Sequence, residues 1–206
     1  MPLPERYILP IHPKDYPNQG IRHCGAYTTR AVLSAYGFNE IQDPSILHTN
    51  PLLRLLGFTS SIDYYPAILR SYGLDAQAKT AERLSSDEKL DLLKGLLAAG
   101  NPVILSVGNF FSRGSGEWLP IKGTFMSHWI SLWGYDDAKK VFYVFDSQVP
   151  QELCEDVPIG NKTRPYSVIP RIWRGAITSS WVLGNCTYIE IKRRQGDLAH
   201  APDRKP

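Results

Sequence analysis

The 206 residues predict a fold of the α+β class. Three observations lead there. Before residue 100, apolar residues recur at helical spacing in stretches that stop at Gly37, Gly57, Gly73 and Gly100. After residue 102, short runs of strand character take over. Two of these runs flank the polar segment 136–140, the arrangement of an antiparallel hairpin.

The elements follow in order. Residues 24–36 (CGAYTTRAVLSAY) form a helix closed by Gly37. Asp43 and Pro44 have the form of an N-cap followed by proline at the first helical position, opening a stretch that runs toward Leu56 and Gly57. Residues 61–72 make the next helix. Residues 86–99 make another, with acidic side chains in the first turn, where the helix dipole favours them. Strands are expected at 102–108, 128–135, 141–146 and 186–192. Residues 108–127, rich in glycine and proline and without a period, read as a long functional rim.

Composition narrows the function. With 43% hydrophobic and 21% charged residues, the chain is neither disordered nor of low complexity. No repeat or linker divides it, so one domain is expected over 1–192, followed by a basic, flexible tail at 193–206. The net charge of +3 resides wholly in the last fifteen residues, leaving a neutral body that is a poor match for nucleic acid. No stretch is long and apolar enough for a membrane span, and the N-terminal residues lack the apolar core of a Sec signal. The expected location is the cytoplasm, or outside the cell as an effector exported without a Sec signal. Cys24, Cys154 and Cys186 fit neither a disulfide framework nor a zinc-ligand spacing, so reduced thiols and no metal are expected.

One segment carries chemistry. In residues 18–25 (NQGIRHCG) a cysteine opens a predicted helix just after a glutamine. The unpaired N–H groups at a helix start favour a thiolate. With a side-chain amide such as Gln19, they can also hold an oxyanion. The alternative for Cys24 is a small buried hydrophobe. A nucleophilic cysteine needs a base and a group to orient it. His128 begins one hairpin strand and Asp146 ends the other, so the hairpin brings them side by side. The bland readings are an edge histidine and a strand-ending aspartate. His23, adjacent to Cys24, points elsewhere and is not the expected base. Trp118 and Trp129 are expected to contact substrate, with sheet packing as the other role for Trp129. The loop from Asn109 to Phe125 is the expected determinant of substrate choice.

Together these residues resemble a known family. Gln19, the Cys24-Gly25-Ala26 helix start, the helix end Ala35-Tyr36-Gly37, the segment 100–104 (GNPVI), His128-Trp129 and Asp146 occur in the order of a papain-like cysteine peptidase. The type is C39-like, related to bacteriocin-processing peptidase domains. The resemblance implies a papain-like fold with the site in a cleft between helices and sheet. It also implies a Cys24–His128–Asp146 triad with Gln19 in the oxyanion hole, no cofactor, and a peptide or protein substrate hydrolysed through a thioester. Two other readings share the fold: a thiol-dependent acyl or peptidyl transferase, and an inactive binding module. His23, where a small polar or acidic residue is frequent, and Ser147, where proline is common, depart from the family pattern.

Overall fold

The computed structural model describes residues 2–19, 22–57, 61–108, 127–176 and 183–193. Strand β1 (Arg6–Ile8) precedes helix α1 (Cys24–Ala35), a 3-10 turn at Pro44–Leu47 and helix α2 (Pro51–Leu56). Helix α3 (Tyr64–Ser71) leads into β2 (Leu74–Thr80), and α4 (Ser86–Ala98) into β3 (Val103–Gly108). Then come β4 (Ser127–Asp136), β5 (Val141–Phe145), a 3-10 turn at Gln151–Leu153, β6 (Lys162–Pro165), a short helix α5 (Ile169–Ile172) and β7 (Thr187–Arg193).

The predicted helices form where their end signals sit. Gly37, Gly73 and Gly100 all take positive φ just past helix ends, a conformation glycine adopts without steric cost. Ser85 and Glu88 form a reciprocal capping box at the start of α4. The stretch expected to run from Pro44 toward Leu56 is broken in two. Asp43 caps a single 3-10 turn by accepting from the Ser45 N–H. The chain then restarts at Pro51, where the Asn50 side chain accepts from the Leu52 N–H at 2.8 Å. Pro51 explains the break, because its ring disfavours helical backbone at residue 50 and it donates no hydrogen bond.

All pairings in the seven-stranded sheet are antiparallel, in the order β2-β7-β3-β4-β5-β6, with β1 added on β4. The four strands read from sequence are present within a residue or two of their expected bounds. β1, β2 and β6 were not anticipated, and two of them lie in the half that reads as helical. β2 (LDAQAKT) is half-exposed and polar, and pairs along its whole length with β7. β1 and β6 are three and four residues long, too short to show a period.

β4 is buried from His128 to Asp136, so both of its faces are covered. Trp133, Phe142, Phe145, Ile130 and Leu105 are fully buried within one core that also takes in Leu33 of α1 and Leu97 of α4. The 136–140 hairpin forms as expected, with Asp136 opposite Val141, but its register shifts between Leu132 and Gly134. Trp133 is the extra residue. Its carbonyl accepts from the Leu9 N–H at 3.0 Å, and its indole donates to Ser131 Oγ at 2.8 Å.

This bulge decides which face the far end of the hairpin presents. Beyond it Ser131 faces Phe145, so the register continues with Asp146 opposite Ile130, and His128 shares their face. An unbulged hairpin would set Asp146 opposite Ser131 and turn His128 to the other side, because a one-residue slip flips every side chain. Gly134 permits the close approach of β1 here, as a Cβ would sit 2.5 Å from the Tyr7 carbonyl oxygen and 3.1 Å from Ile8 Cα. Both obstacles are backbone, so Gly134→Val must displace β1 or the bulge. The expected cost is about 2 kcal/mol, seen as a Tm lower by roughly 4–8 °C in calorimetry. An unchanged Tm would contradict this account of the bulge.

Candidate active site

Cys24 is the first residue of α1 and is partly exposed. Before it, His23 holds a left-handed backbone (φ 74°), and its side chain makes no capping hydrogen bond. No acidic residue lies in the first turn. The first N–H groups of α1 are thus left without the side-chain partner that normally satisfies a helix start.

Two contacts fix this helix start against the sheet. One turn along from Cys24, Thr28 Oγ1 donates to the Trp129 carbonyl at 3.0 Å. Gly25 lies against the Tyr65 ring so closely that a Cβ would fall 2.1 Å from its Cζ. Tyr65 in turn packs edge-on to Trp129, with ring centroids 5.4 Å apart. Trp129 is 4% exposed, so of the two roles expected for it, packing is the one it has. Trp118 and the loop from Asn109 to Phe125 fall outside the described residues.

His128 and Asp146 meet at the end of the hairpin, both fully buried, with Nε2 of the imidazole 2.8 Å from Asp146 Oδ1. The other ring nitrogen, Nδ1, has no hydrogen-bond partner. Cys24 is the second side chain that acts on this ring. Burial works against the charged imidazole, but the Asp146 carboxylate and the Cys24 sulfur outweigh it and hold the pKa of His128 up at about 10. Burial likewise opposes ionisation of Asp146. His128, Arg164 and the Gln148 N–H together overcome it and hold the carboxyl down at about 2.

Asp146 is anchored on every side. Oδ1 also accepts from the Gln148 N–H at 3.0 Å, and Oδ2 accepts from Arg164 Nη2 at 3.1 Å. Its backbone is gripped by Asn161, whose Oδ1 accepts from the Asp146 N–H and whose Nδ2 donates to the Asp146 carbonyl, both at 2.9 Å.

Gln19 comes to the same place. Its backbone N–H donates to the Ser147 carbonyl at 2.8 Å, and Ser147 Oγ donates to Gln19 Oε1. The buried Nε2 is left without a partner, a donor available to an incoming oxygen. Ser147, the departure from a common proline, is therefore the group that sets the amide's orientation.

His23 lies apart from this arrangement, its ring beside His48 with centroids 5.3 Å apart. Asp136 ends β4, where its Oδ1 accepts from the Lys139 N–H across the hairpin turn. Arg164, Asn161 and Ser147 were not singled out as site residues from sequence. Arg164 and Asn161 arrive from β6 and its lead-in, where no local pattern marks them. Among the described residues no three His, Cys, Asp or Glu side chains are grouped to hold a metal ion, and no helix is long and apolar enough to cross a membrane.

The two pKa shifts predict how stability depends on pH. His128 is raised from 6.5 to about 10, so its contribution is complete below pH 6.5 and is lost as pH rises through about 10. Asp146 is lowered from 3.8 to about 2, so its contribution is complete above pH 3.8 and is lost as pH falls through about 2. The Tm difference between wild type and His128→Gln should therefore be widest between those two ordinary values and shrink toward pH 10. A pH-independent difference would contradict the ion pair.

Three crystal structures share the fold at low sequence identity. Xylellain, a cysteine protease from Xylella fastidiosa, aligns with a TM-score of 0.55 at 15% identity, covering 94% of this chain and 88% of that one. A putative C39-like peptidase from Bacillus anthracis gives 0.53 at 16%, covering 93% and 100%. The peptidase domain of Streptococcus ComA, a bifunctional ABC transporter involved in quorum sensing, gives 0.50 at 15%, covering 91% and 99%. These neighbours confirm the α+β, papain-like fold expected from sequence. No curated protein sequence matches the chain. Residues 12–156, well over half of the sequence, match the Peptidase_C39 like family, and the chain belongs to that family.

Proposed function

We propose that this chain is a cysteine peptidase in which Cys24 is the nucleophile, His128 the acid and base, Asp146 the group that orients His128, and Gln19 a donor to the oxyanion. The observation that carries the reading is the imidazole of His128: fully buried, fixed through Nε2 to Asp146, with Nδ1 unpaired, and under the influence of Cys24. An imidazole held in this way can take the thiol proton and return it to a leaving group.

The chemistry runs in two halves. The Cys24 thiol proton passes to His128 Nδ1, and the sulfur attacks the carbonyl carbon of a peptide bond. The displaced electron pair collects on the carbonyl oxygen, which accepts from Gln19 Nε2–H and the Cys24 backbone N–H. As the C–N bond breaks, His128 protonates the departing amine and a thioester remains on Cys24. A water molecule then gives a proton to His128 Nδ1 and attacks the thioester. The carboxylic acid leaves, and the sulfur recovers its proton from His128. The partly exposed thiol and the uncapped start of α1 suit the first half. The buried amide of Gln19, with Oε1 occupied and Nε2 unpaired, suits a donor that strengthens as charge develops.

The test is hydrolysis of a defined mixture of unstructured peptides in oxygen-18 water, read by mass spectrometry. The wild type should yield new C-termini carrying one solvent oxygen, and Cys24→Ala should yield none. His128→Ala is expected to lose about 10³-fold in rate and Gln19→Ala about 10²–10³-fold. Cleavage that persists in Cys24→Ala would overturn the assignment.

A further inference from the structure

We propose that Arg164 is a positioning residue of this site, one that pairs with Asp146 and neutralises its charge so that the Cys24 thiolate becomes the countercharge of the His128 imidazolium. The inference rests on the catalytic reading above and adds a fourth ionisable group to it.

The geometry is a buried string. Arg164 on β6, with its side chain 3% exposed, donates through Nη2 to Asp146 Oδ2 at 3.1 Å. On the other oxygen of the same carboxylate sits His128 Nε2 at 2.8 Å, and both of those side chains are fully buried. Cys24 also acts on this imidazole. One carboxylate therefore faces two potential cations with no bulk water to screen them. A buried charge is tolerated only when it is balanced nearby.

Arg164 is permanently charged, because guanidinium does not give up its proton in proteins. It therefore claims the Asp146 negative charge at every pH at which the protein is folded and Asp146 ionised. A proton arriving at His128 creates one positive charge that Asp146 no longer balances alone, and the thiolate of Cys24 supplies the remainder. Proton transfer from Cys24 to His128 then leaves the string of four groups neutral, as it was before the transfer. Without Arg164, Asp146 alone would balance the imidazolium, and His128 would hold its proton whether or not Cys24 had released one. Such a histidine would be a poor base in the second half of the reaction.

The other charged and titratable groups around the string leave this balance in place. On the helical side Tyr65 lies beside Cys24, and its phenol is pushed well up by burial. On the β6 side Glu155 and Cys154 feel Arg164 and Asp146 respectively. Glu155 is itself paired with Lys162 at 2.6 Å and accepts from Thr163. Arg164 Nη1 is occupied by the Thr163 carbonyl at 3.0 Å, which orients the guanidinium toward Asp146.

The test reads the His128 imidazole directly by NMR titration in a Cys24→Ala background, with the ring signal assigned by its loss on His128→Ala. Removing the sulfur brings the midpoint into an accessible range and makes the result independent of peptide cleavage. With Arg164 present, the midpoint should be the lowest of the series. Arg164→Gln keeps a donor to Asp146 without the charge and should raise the midpoint by about 1 pH unit or more. Arg164→Lys keeps the charge at a greater distance and should fall between the two, and it serves alone if the Gln variant does not fold. A shared midpoint among the folded variants would overturn the proposal, because an arginine that only fills space moves no titration. Failure of peptide hydrolysis with the titration shift intact would count against the catalytic reading and leave the role of Arg164 standing.

Discussion

The site depends on a carboxylate buried where no water reaches it. Asp146 has no exposed surface, and leaving it unpaired there would cost several kcal/mol. It stays ionised because three groups converge on the carboxylate: the His128 ring from β4, the Arg164 guanidinium from β6 and the Gln148 N–H from the connection between β5 and β6, while the Asn161 amide from that connection holds its backbone. Three adjacent strands are thus tied to one side chain. The sheet order β4-β5-β6 is what allows this, since any other neighbour for β5 would bring other residues to its end.

The helical side contributes a complementary feature. α1 begins at Cys24 with its first N–H groups uncapped and no acidic residue in its first turn, an arrangement that costs helix stability and favours negative charge. The left-handed backbone of His23 is a local strain of the kind that accumulates at functional positions. Gly25 against Tyr65 and Thr28 on the Trp129 carbonyl hold that helix start in register with the strand carrying His128. A positive helix start, an imidazole and a buried carboxylate are thereby aligned, with an arginine behind them. The protein gives up the stability an ordinary cap would supply and gains a fixed position for one sulfur.

Much of this was legible in the sequence, and the limits are instructive. Helix ends were marked by glycines and by the acidic first turn of α4, and the β4–β5 hairpin by its polar turn, because those signals act over a few residues. Gln19, Cys24, His128 and Asp146, singled out from the sequence, lie on segments that the fold packs together. A plain hairpin would have set His128 and Asp146 on opposite faces. The bulge at Trp133 corrects the face, and Gly134 inside an otherwise apolar strand was the available sign of it. Pro51 likewise signalled the break after the 3-10 turn. Arg164, Asn161 and the binding role of Ser147 were invisible because their meaning comes from sheet neighbours. A four-residue strand of lysine, threonine, arginine and proline has no local pattern to report it.

The central claim is that Cys24 is activated by His128, and the most direct measurement is iodoacetamide alkylation of all three cysteines, followed by peptide mass in wild type and His128→Ala. Cys154 and Cys186 are internal controls, because burial pushes both thiols up. The account predicts that near neutral pH Cys24 is alkylated well ahead of the other two, and that His128→Ala removes this advantage. Equal reactivity of Cys24 in the two proteins would contradict it.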